Sequence, residues 1–294
     1  MIAQCLHLQF SASRVRNRPD AVLCRPTINS FLTEFPMLPD IAFLDAIAEA
    51  AAAETLPRFR MPAAIDNKHA SGFDPVTEAD RAAENAIREI IAERYPEHGI
   101  LGEEHEDVGL DRDYVWVIDP IDGTRAFISG LPVWGTLVGL YHKGKAVMGM
   151  MDQPFTGERF IARPGEAMVR RNGKATRLST RQGVSLDQAI LMTTSPKIFS
   201  RELEPSYKRV EASVQLARYG CDCYAYAMVA AGYIDLVVEA DLKPYDVGGL
   251  IPLVEEAGGI MTTWDGGRPE KGGTIIASGS AALHEAALEL LNRT

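Results

Sequence analysis

The sequence predicts a mixed α/β protein of the α+β class, and three observations lead there. Antiparallel strand signals cluster in the first half, strand and helix signals alternate in the second, and a short apolar run at residues 114–118 ends abruptly at Asp119-Pro120. Ile41, Leu44, Ile47, Ala48 and Ala51 recur at helical spacing, as do Ala79, Ala83, Ile87 and Ile91 in the next helix. Residues 114–118 have the length of a buried strand. Residues 133–141 and 145–151, joined through Lys143-Gly144, read as a hairpin, which residues 160–162 and a turn near Asn172-Gly173 extend. The second half reads as strand 190–194, helix 221–231, strand 234–239, helix 246–257, strands 260–263 and 274–277, and a closing helix from Ala281.

With 294 residues the chain can bury a large core in one or two domains, and a formal net charge of −10 argues against nucleic acid as a bulk partner. No stretch is long and apolar enough to span a bilayer, so a cytoplasmic protein is expected. Cys5, Cys24, Cys221 and Cys223 are too few for a disulfide framework, and the C-x-C spacing of the last pair is not a zinc-ribbon pattern, so reduced, partly buried thiols are expected. Residues 1–36 stand apart: Arg14, Arg16, Arg18 and Arg25 with few acids and no clear period suit a transit peptide, an upstream start before Met37, or a floppy arm.

Chemistry concentrates at Asp119-Pro120-Ile121-Asp122-Gly123-Thr124. Two carboxylates and the Ile121 carbonyl, aimed at one point from the end of a strand, are hard oxygen donors that suit Mg²⁺ beside a phosphate. Gly123 lets backbone N–H groups approach an anion, and Thr124 adds a hydroxyl. The same residues also suit an Asp-Gly turn with solvated acids. Acids recur at other element ends: Gly102-Glu103-Glu104 after Ile100-Leu101, Asp246 in Tyr245-Asp246-Val247-Gly248-Gly249, and Asp80 after Asp74-Pro75-Val76-Thr77. Thr77 and Asp80 also have capping-box spacing, and Asp246 also suits a helix cap. His98, His105, His142 and His284 fit loops or polar faces and are expected at the surface.

These four blocks, in this order, resemble the inositol monophosphatase superfamily of Mg²⁺-dependent, lithium-sensitive phosphomonoesterases, over roughly residues 41–291. The resemblance implies a layered αβαβα sandwich. An N-terminal lobe (37–184) would carry most metal ligands, and a C-terminal lobe (185–294) would carry the last ligand and the recognition residues. It implies two Mg²⁺ ions, with a third, weaker ion by family precedent. Glu103 and Asp119 would hold the first, and Asp119 would bridge to a second held by Asp122, Asp246 and the Ile121 carbonyl. Glu103, with Thr124 and Asp80, would orient and activate the attacking water, while the Gly123 and Thr124 N–H groups take the phosphate. Lys68 resembles a lysine near the active-site loop, though a solvated role suits it as well. A homodimer acting on a small phosphorylated metabolite is the implied assembly.

The flanking residues depart from typical inositol monophosphatases. Gly123-Thr124-Arg125-Ala126-Phe127-Ile128-Ser129-Gly130-Leu131-Pro132, Gly220-Cys221-Asp222-Cys223-Tyr224-Ala225-Tyr226 and Asp235-Leu236-Val237-Val238-Glu239-Ala240-Asp241-Leu242-Lys243-Pro244-Tyr245-Asp246 look most like the bacterial and plant histidinol-phosphate phosphatase branch. There Asp222 and Glu239 would meet the substrate, with Arg125 organising the loop or the acids. Two carboxylates match a substrate bearing an ammonium and an imidazole better than an uncharged polyol. Asp222 also suits a helix start. The alternatives are the same chemistry on inositol monophosphate or another sugar or nucleotide phosphate, and a non-enzymatic phosphate-binding protein. The presence of Asp80, Glu103, Asp119, Asp122 and Asp246 together speaks against the last.

Overall fold

Among the described residues two large β-sheets and three helical layers alternate as α-β-α-β-α, with a further two-stranded ribbon. The computed structural model describes residues 38–61, 66–67 and 75–293, and residues 39–294 cluster as one unit. Residues 1–36, with Cys5 and Cys24, and also Lys68 and Asp74, lie outside the described residues.

The outer layer is α1 (Ile41–Thr55) against α2 (Glu78–Arg94). Asp40 caps α1 through its side chain, and Leu44, Ile47, Ala48 and Ala51 are buried, as their spacing requires. Between the helices, β1 (Asp66–Asn67) pairs antiparallel with β2 (Pro75–Val76). A capping box of Thr77 and Asp80 opens α2.

The first sheet runs in sequence order: β3 (Gly99–Gly102), β4 (Tyr114–Asp122), β5 (Gly135–His142), β6 (Lys145–Gln153), β7 (Glu158–Arg163), β8 (Glu166–Arg171) and β9 (Lys174–Arg177). Only β3 and β4 are parallel; the rest form an antiparallel meander. The short helix α3 (Thr124–Ile128) follows β4. Lys143 and Gly144, both with positive φ, make the tight β5–β6 turn that their dipeptide predicts.

The second sheet has the order β11-β10-β12-β14-β13, built from β10 (Ile190–Thr193), β11 (Leu216–Tyr219), β12 (Leu236–Leu242), β13 (Ile260–Thr263) and β14 (Gly273–Ser278). Parallel pairing of β10 with β11 and β12 explains the strand-helix alternation of this half. Ser185 falls between β9 and β10, where one sheet ends and the other begins. One face of the second sheet is covered by α4 (Glu204–Glu211) and α8 (Ala281–Leu291), around Leu191, Tyr207, Leu236, Val238 and Trp264.

Between the sheets lie α5 (Asp222–Ala230), α6 (Pro244–Gly248) and α7 (Leu250–Glu256). The helix expected over 246–257 is therefore two short helices that meet at Gly249. Their glycines meet the first sheet backbone to backbone. A Cβ on Gly139 would sit 2.4 Å from the Gly248 carbonyl oxygen, and one on Gly149 would sit 2.1 Å from that of Gly249.

Two histidine expectations are corrected. His98 and His284 are buried, not at the surface. Trp116 Nε1 donates to His98 Nδ1 at 3.1 Å, and His98 stacks between Tyr95 and Tyr114. The His284 nitrogens lie 2.9 Å from Thr262 Oγ1 and 3.0 Å from Ser278 Oγ. His284 is thus partnered at both nitrogens, and His98 at Nδ1, with its Nε2 3.7 Å from Glu97 Oε1. Among the described residues no helix is long and apolar enough to cross a membrane.

Candidate active site

The acidic cluster arises from strand geometry. Val117 packs into the core between the sheets, so strand alternation points Asp119 to the same side, toward α6. Asp122 is an odd number of residues further on and in a regular strand would face away. The register shift between Asp119 and Asp122 is a bulge: Asp119 pairs with Leu137 and Asp122 with Gly135, three residues opposite two. The strand thus runs four residues beyond the 114–118 segment predicted, and the bulge turns Asp122 to the side that Asp119 already faces.

Asp246, in the first turn of α6, completes a group in which the carboxylate oxygens of Asp119, Asp122 and Asp246 lie within 4.8 Å of one another. Its Oδ2 accepts from the Lys243 N–H at 2.6 Å, so it also caps its helix. Glu103 follows β3, whose parallel register pairs Gly102 with Ile118, and its carboxyl interacts directly with that of Asp119. Burial first, then Glu103, Asp122 and Asp246, push the Asp119 carboxyl well above the usual range; burial, then Asp222 and Asp246, do the same to Asp122. A proton or a cation relieves the repulsion of acids held at this proximity, and an all-oxygen donor set fits a hard divalent ion.

Around this group the remaining expected residues find places. The Ile121 N–H donates to Asp119 Oδ1 at 3.1 Å, and the Ile121 carbonyl accepts from Thr124 Oγ1 at 3.1 Å with a lone pair to spare. Thr124 Oγ1 also lies 3.4 Å from Asp80 Oδ1, while Asp80 Oδ2 accepts from both the N–H and the hydroxyl of Thr77. Asp80 therefore caps its helix and reaches Thr124 at the same time. Burial raises its pKa, with Thr77 opposing. Gly123 has φ 83°, a left-handed conformation that opens α3. A Cβ there would sit 3.2 Å from Asp222 Cβ, so a methyl would crowd the acid of the opposite element.

Asp222 and Glu239 are brought together from α5 and β12. Asp222 has φ 43°, uncommon for a non-glycine residue, and burial raises its pKa while the Arg125 guanidinium and the Thr194 hydroxyl lower it. Glu239 lies on the face of β12 that Val237 shares with the middle layer. Its Oε1 accepts from the Thr194 N–H at 2.5 Å; its Oε2 has no hydrogen-bond partner among the described residues, nor do the buried hydroxyls of Tyr226 and Thr193. Burial pushes the Glu239 carboxyl up to about 8.

Sequence reasoning missed Thr194, which contacts both acids, and Tyr226, whose hydroxyl feels Glu239, Asp122 and Asp246. It also missed the Cys223 N–H, which donates to Asp122 Oδ2 at 2.6 Å. Tyr226 stands four residues after Asp222, a helical spacing that was available as a signal. Thr194 carried none, because its role depends on parallel pairing of β10 and β12. Cys221 and Cys223 are free thiols, and neither belongs to the acidic group.

A cluster of hard oxygen donors at the end of β4, between two sheets, defines a metal-dependent class of protein. The chain belongs to the inositol monophosphatase family: the model of that family matches residues 39–294. It is therefore a phosphatase, a phosphoric monoester hydrolase. The chain is 43% identical over 258 residues to the bifunctional phosphatase IMPL2, chloroplastic, of Arabidopsis thaliana, covering 84% of this chain and 73% of that protein. It is 33% identical over 253 residues to a histidinol-phosphatase of Mycobacterium tuberculosis, covering 84% and 96%. Among solved structures, an inositol monophosphatase from Zymomonas mobilis superposes with a TM-score of 0.76 at 40% identity, over 86% of this chain and 97% of that one.

Proposed function

We propose that the protein is a Mg²⁺-dependent phosphomonoesterase that hydrolyses L-histidinol phosphate to L-histidinol and phosphate. Asp119, Asp122, Asp246, Glu103 and the Ile121 carbonyl would hold two Mg²⁺ ions, with room in the same acidic field for a third, weaker one. When bound, Mg²⁺ supplies a lowered pKa for the attacking water and charge compensation for the entering and leaving oxygens. The Thr124 hydroxyl, placed beside Asp80 and the Ile121 carbonyl, would orient that water, and Glu103 would receive its proton. The Gly123 and Thr124 N–H groups, which precede the first hydrogen-bonded turn of α3, face the phosphate. The P–O ester bond breaks as the new one forms, and the leaving oxygen takes up a proton from water to depart as the alcohol, while the proton held by Glu103 returns to solvent. This chain offers no need for a covalent phosphoenzyme.

One observation carries the choice of substrate: half-buried Asp222 and buried Glu239, two acids joined through Thr194, the latter with an unpartnered carboxylate oxygen. A buried oxygen without a partner costs stability unless a ligand donates to it. An ammonium and an imidazole supply such donors and favour the ionised acids, which a neutral polyol does less well. Arg125, beside Asp222, limits how much cationic charge that side accepts. The relative named a histidinol-phosphatase supports this reading.

A second reading, inositol 1-phosphate or a broader sugar or nucleotide phosphate, is favoured by the similarity to the Zymomonas mobilis structure. A phosphate-release assay with histidinol phosphate, inositol 1-phosphate and an aryl phosphate separates the two. The first reading expects the highest kcat/KM for histidinol phosphate, dependence on Mg²⁺, and suppression by chelator and by lithium. Preference for inositol 1-phosphate would promote the second; full turnover in excess chelator would end both. The free Cys221 and Cys223 thiols support a reducing, cytoplasmic setting. Light scattering in solution tests the homodimer that the family suggests.

A further inference from the structure

Asp80, Glu84 and Arg88 stand four residues apart on α2, which lines three charged groups along one helical face. Asp80 and Glu84 are fully buried. A buried carboxylate persists only where donors meet it, and Glu84 meets two. Its Oε2 accepts from the Glu104 N–H at 2.7 Å, and its Oε1 accepts from Arg88 Nε at 2.7 Å. Arg88 then spends its remaining donors on the same segment: Nη1 donates to the Glu106 carbonyl at 3.1 Å and Nη2 to the His105 carbonyl at 3.3 Å. The His105 ring returns to the helix, with Nε2 3.3 Å from the Arg81 carbonyl.

Three successive residues after Glu103 are thus tied to one helix. On the other side, Gly102 lets the helix come close: a Cβ there would lie 2.0 Å from Glu84 Oε1 and 2.5 Å from Arg88 Nη2. The register of β3 against β4 sets Gly102 beside Ile118, so Glu103 emerges next to Asp119. The guanidinium of Arg88 also keeps Glu84 from adding an uncompensated charge to an already acidic region.

We propose that Glu84 and Arg88 are positioning residues that fix the Glu103 carboxylate against Asp119 and thereby set the affinity for the divalent cation. The inference rests on the reading of the acidic cluster as a cation site. A rigid mount matters because Glu103 is the acid of that group that follows a strand end rather than sitting within an element, and an untethered loop would hold it less well in the crowded field of Asp119. The same helix carries Asp80, so one element would register the Thr124 side and the Glu103 side of the site against each other.

Direct binding of Mn²⁺ to the full chain, followed by electron paramagnetic resonance and calorimetry, tests the proposal on the wild type, Glu84→Gln, Arg88→Met and the milder Arg88→Lys. A control, Val254→Ala, lowers stability within the core far from α2. The expected result is Mn²⁺ affinity weakened about tenfold or more in Glu84→Gln and Arg88→Met, the scale for groups that orient a ligand, and unchanged in Val254→Ala at a comparable loss of Tm in chelator. Arg88→Lys keeps the charge without the fork and should fall between. Saturating Mg²⁺ should restore most of kcat in all three. Wild-type Mn²⁺ affinity in the Glu84 and Arg88 variants, or a loss that merely follows Tm as in the control, would overturn the proposal alone. Absence of Mn²⁺ binding in the wild type would overturn the cation reading and this proposal with it.

Discussion

The Thr124 hydroxyl lies 3.4 Å from Asp80 Oδ1, across 44 residues of sequence, and joins the first turn of α2 to the first turn of α3. The same hydroxyl also reaches the Ile121 carbonyl, so its single proton is directed to one of two acceptors and its lone pairs face the other side. We predict that Thr124→Val lowers kcat by roughly 10²-fold or more, the scale of proton-transfer catalysis, with a smaller change in KM. Thr124→Ser should retain most activity. Steady-state kinetics on both variants check this, and equal losses in Ser and Val would assign Thr124 a packing role instead.

Asp119 is expected to separate activity from stability. Its folded-state pKa is raised, so at neutral pH the ionised form destabilises the cation-free protein, and that penalty eases as pH falls. Asp119→Asn should abolish turnover yet raise Tm in chelator, by about 2–4 °C for each kcal/mol of repulsion relieved. It should also remove the Tm increase that Mg²⁺ gives the wild type. Calorimetry with and without Mg²⁺ measures both, and a Tm that falls in chelator would contradict the electrostatic account.

Substrate recognition is expected to divide from catalysis at Asp222 and Glu239. Asp222→Asn and Glu239→Gln should each reduce kcat/KM for histidinol phosphate by about 1–3 kcal/mol, the range of a lost charged hydrogen bond. Hydrolysis of an aryl phosphate should fall much less. Parallel losses on the two substrates would point to a defect at the cation cluster and remove these acids from recognition.

His284 should give the fold an acid-sensitive element. Burial lowers its pKa to about 4 from the ordinary 6.5. In that window the unfolded chain binds a proton that the folded one refuses, so the stabilisation is complete above about pH 6.5 and is lost as pH falls. The slope is at most about 1.4 kcal/mol per pH unit. His284→Gln, which keeps hydrogen-bonding atoms for Thr262 and Ser278, should flatten this component. Urea denaturation from pH 7 to 4.5 compares the two, and identical pH profiles would show that His284 stays neutral in neither state's favour.

Much of this architecture was legible in the chain because periodicity reports burial. Ile41, Leu44, Ile47 and Ala48 mark α1, and Lys143-Gly144 marks its turn, without tertiary information. The acids at element ends were visible for the same reason: a carboxylate that closes an apolar run must have a partner. What escaped was set by pairing across the chain. The bulge that turns Asp122 inward depends on β5, and the contacts of Thr194 depend on a neighbouring strand 45 residues away. The histidines were misjudged because polarity alone cannot reveal that a Trp or a Ser waits opposite the ring. The split at Gly249 did have a local signal, the Gly248-Gly249 pair followed by Pro252, which cannot donate to the carbonyl four residues back, and the apolar run around them hid it.

That split has a mechanical consequence. Gly248 and Gly249 touch Gly139 and Gly149 with no side chain between them, so the height of α6 above the sheet equals the thickness of bare peptide. Asp246 stands two residues before this contact and Asp119 two strand positions from it. A single methyl at Gly139 or Gly149 would act as a shim, forcing the strand or the α6–α7 junction to shift and so moving Asp246 relative to Asp119. The tolerance of the acidic centre is therefore set by what four glycines lack, and an alanine there would silence the protein from a position that touches neither cation nor substrate.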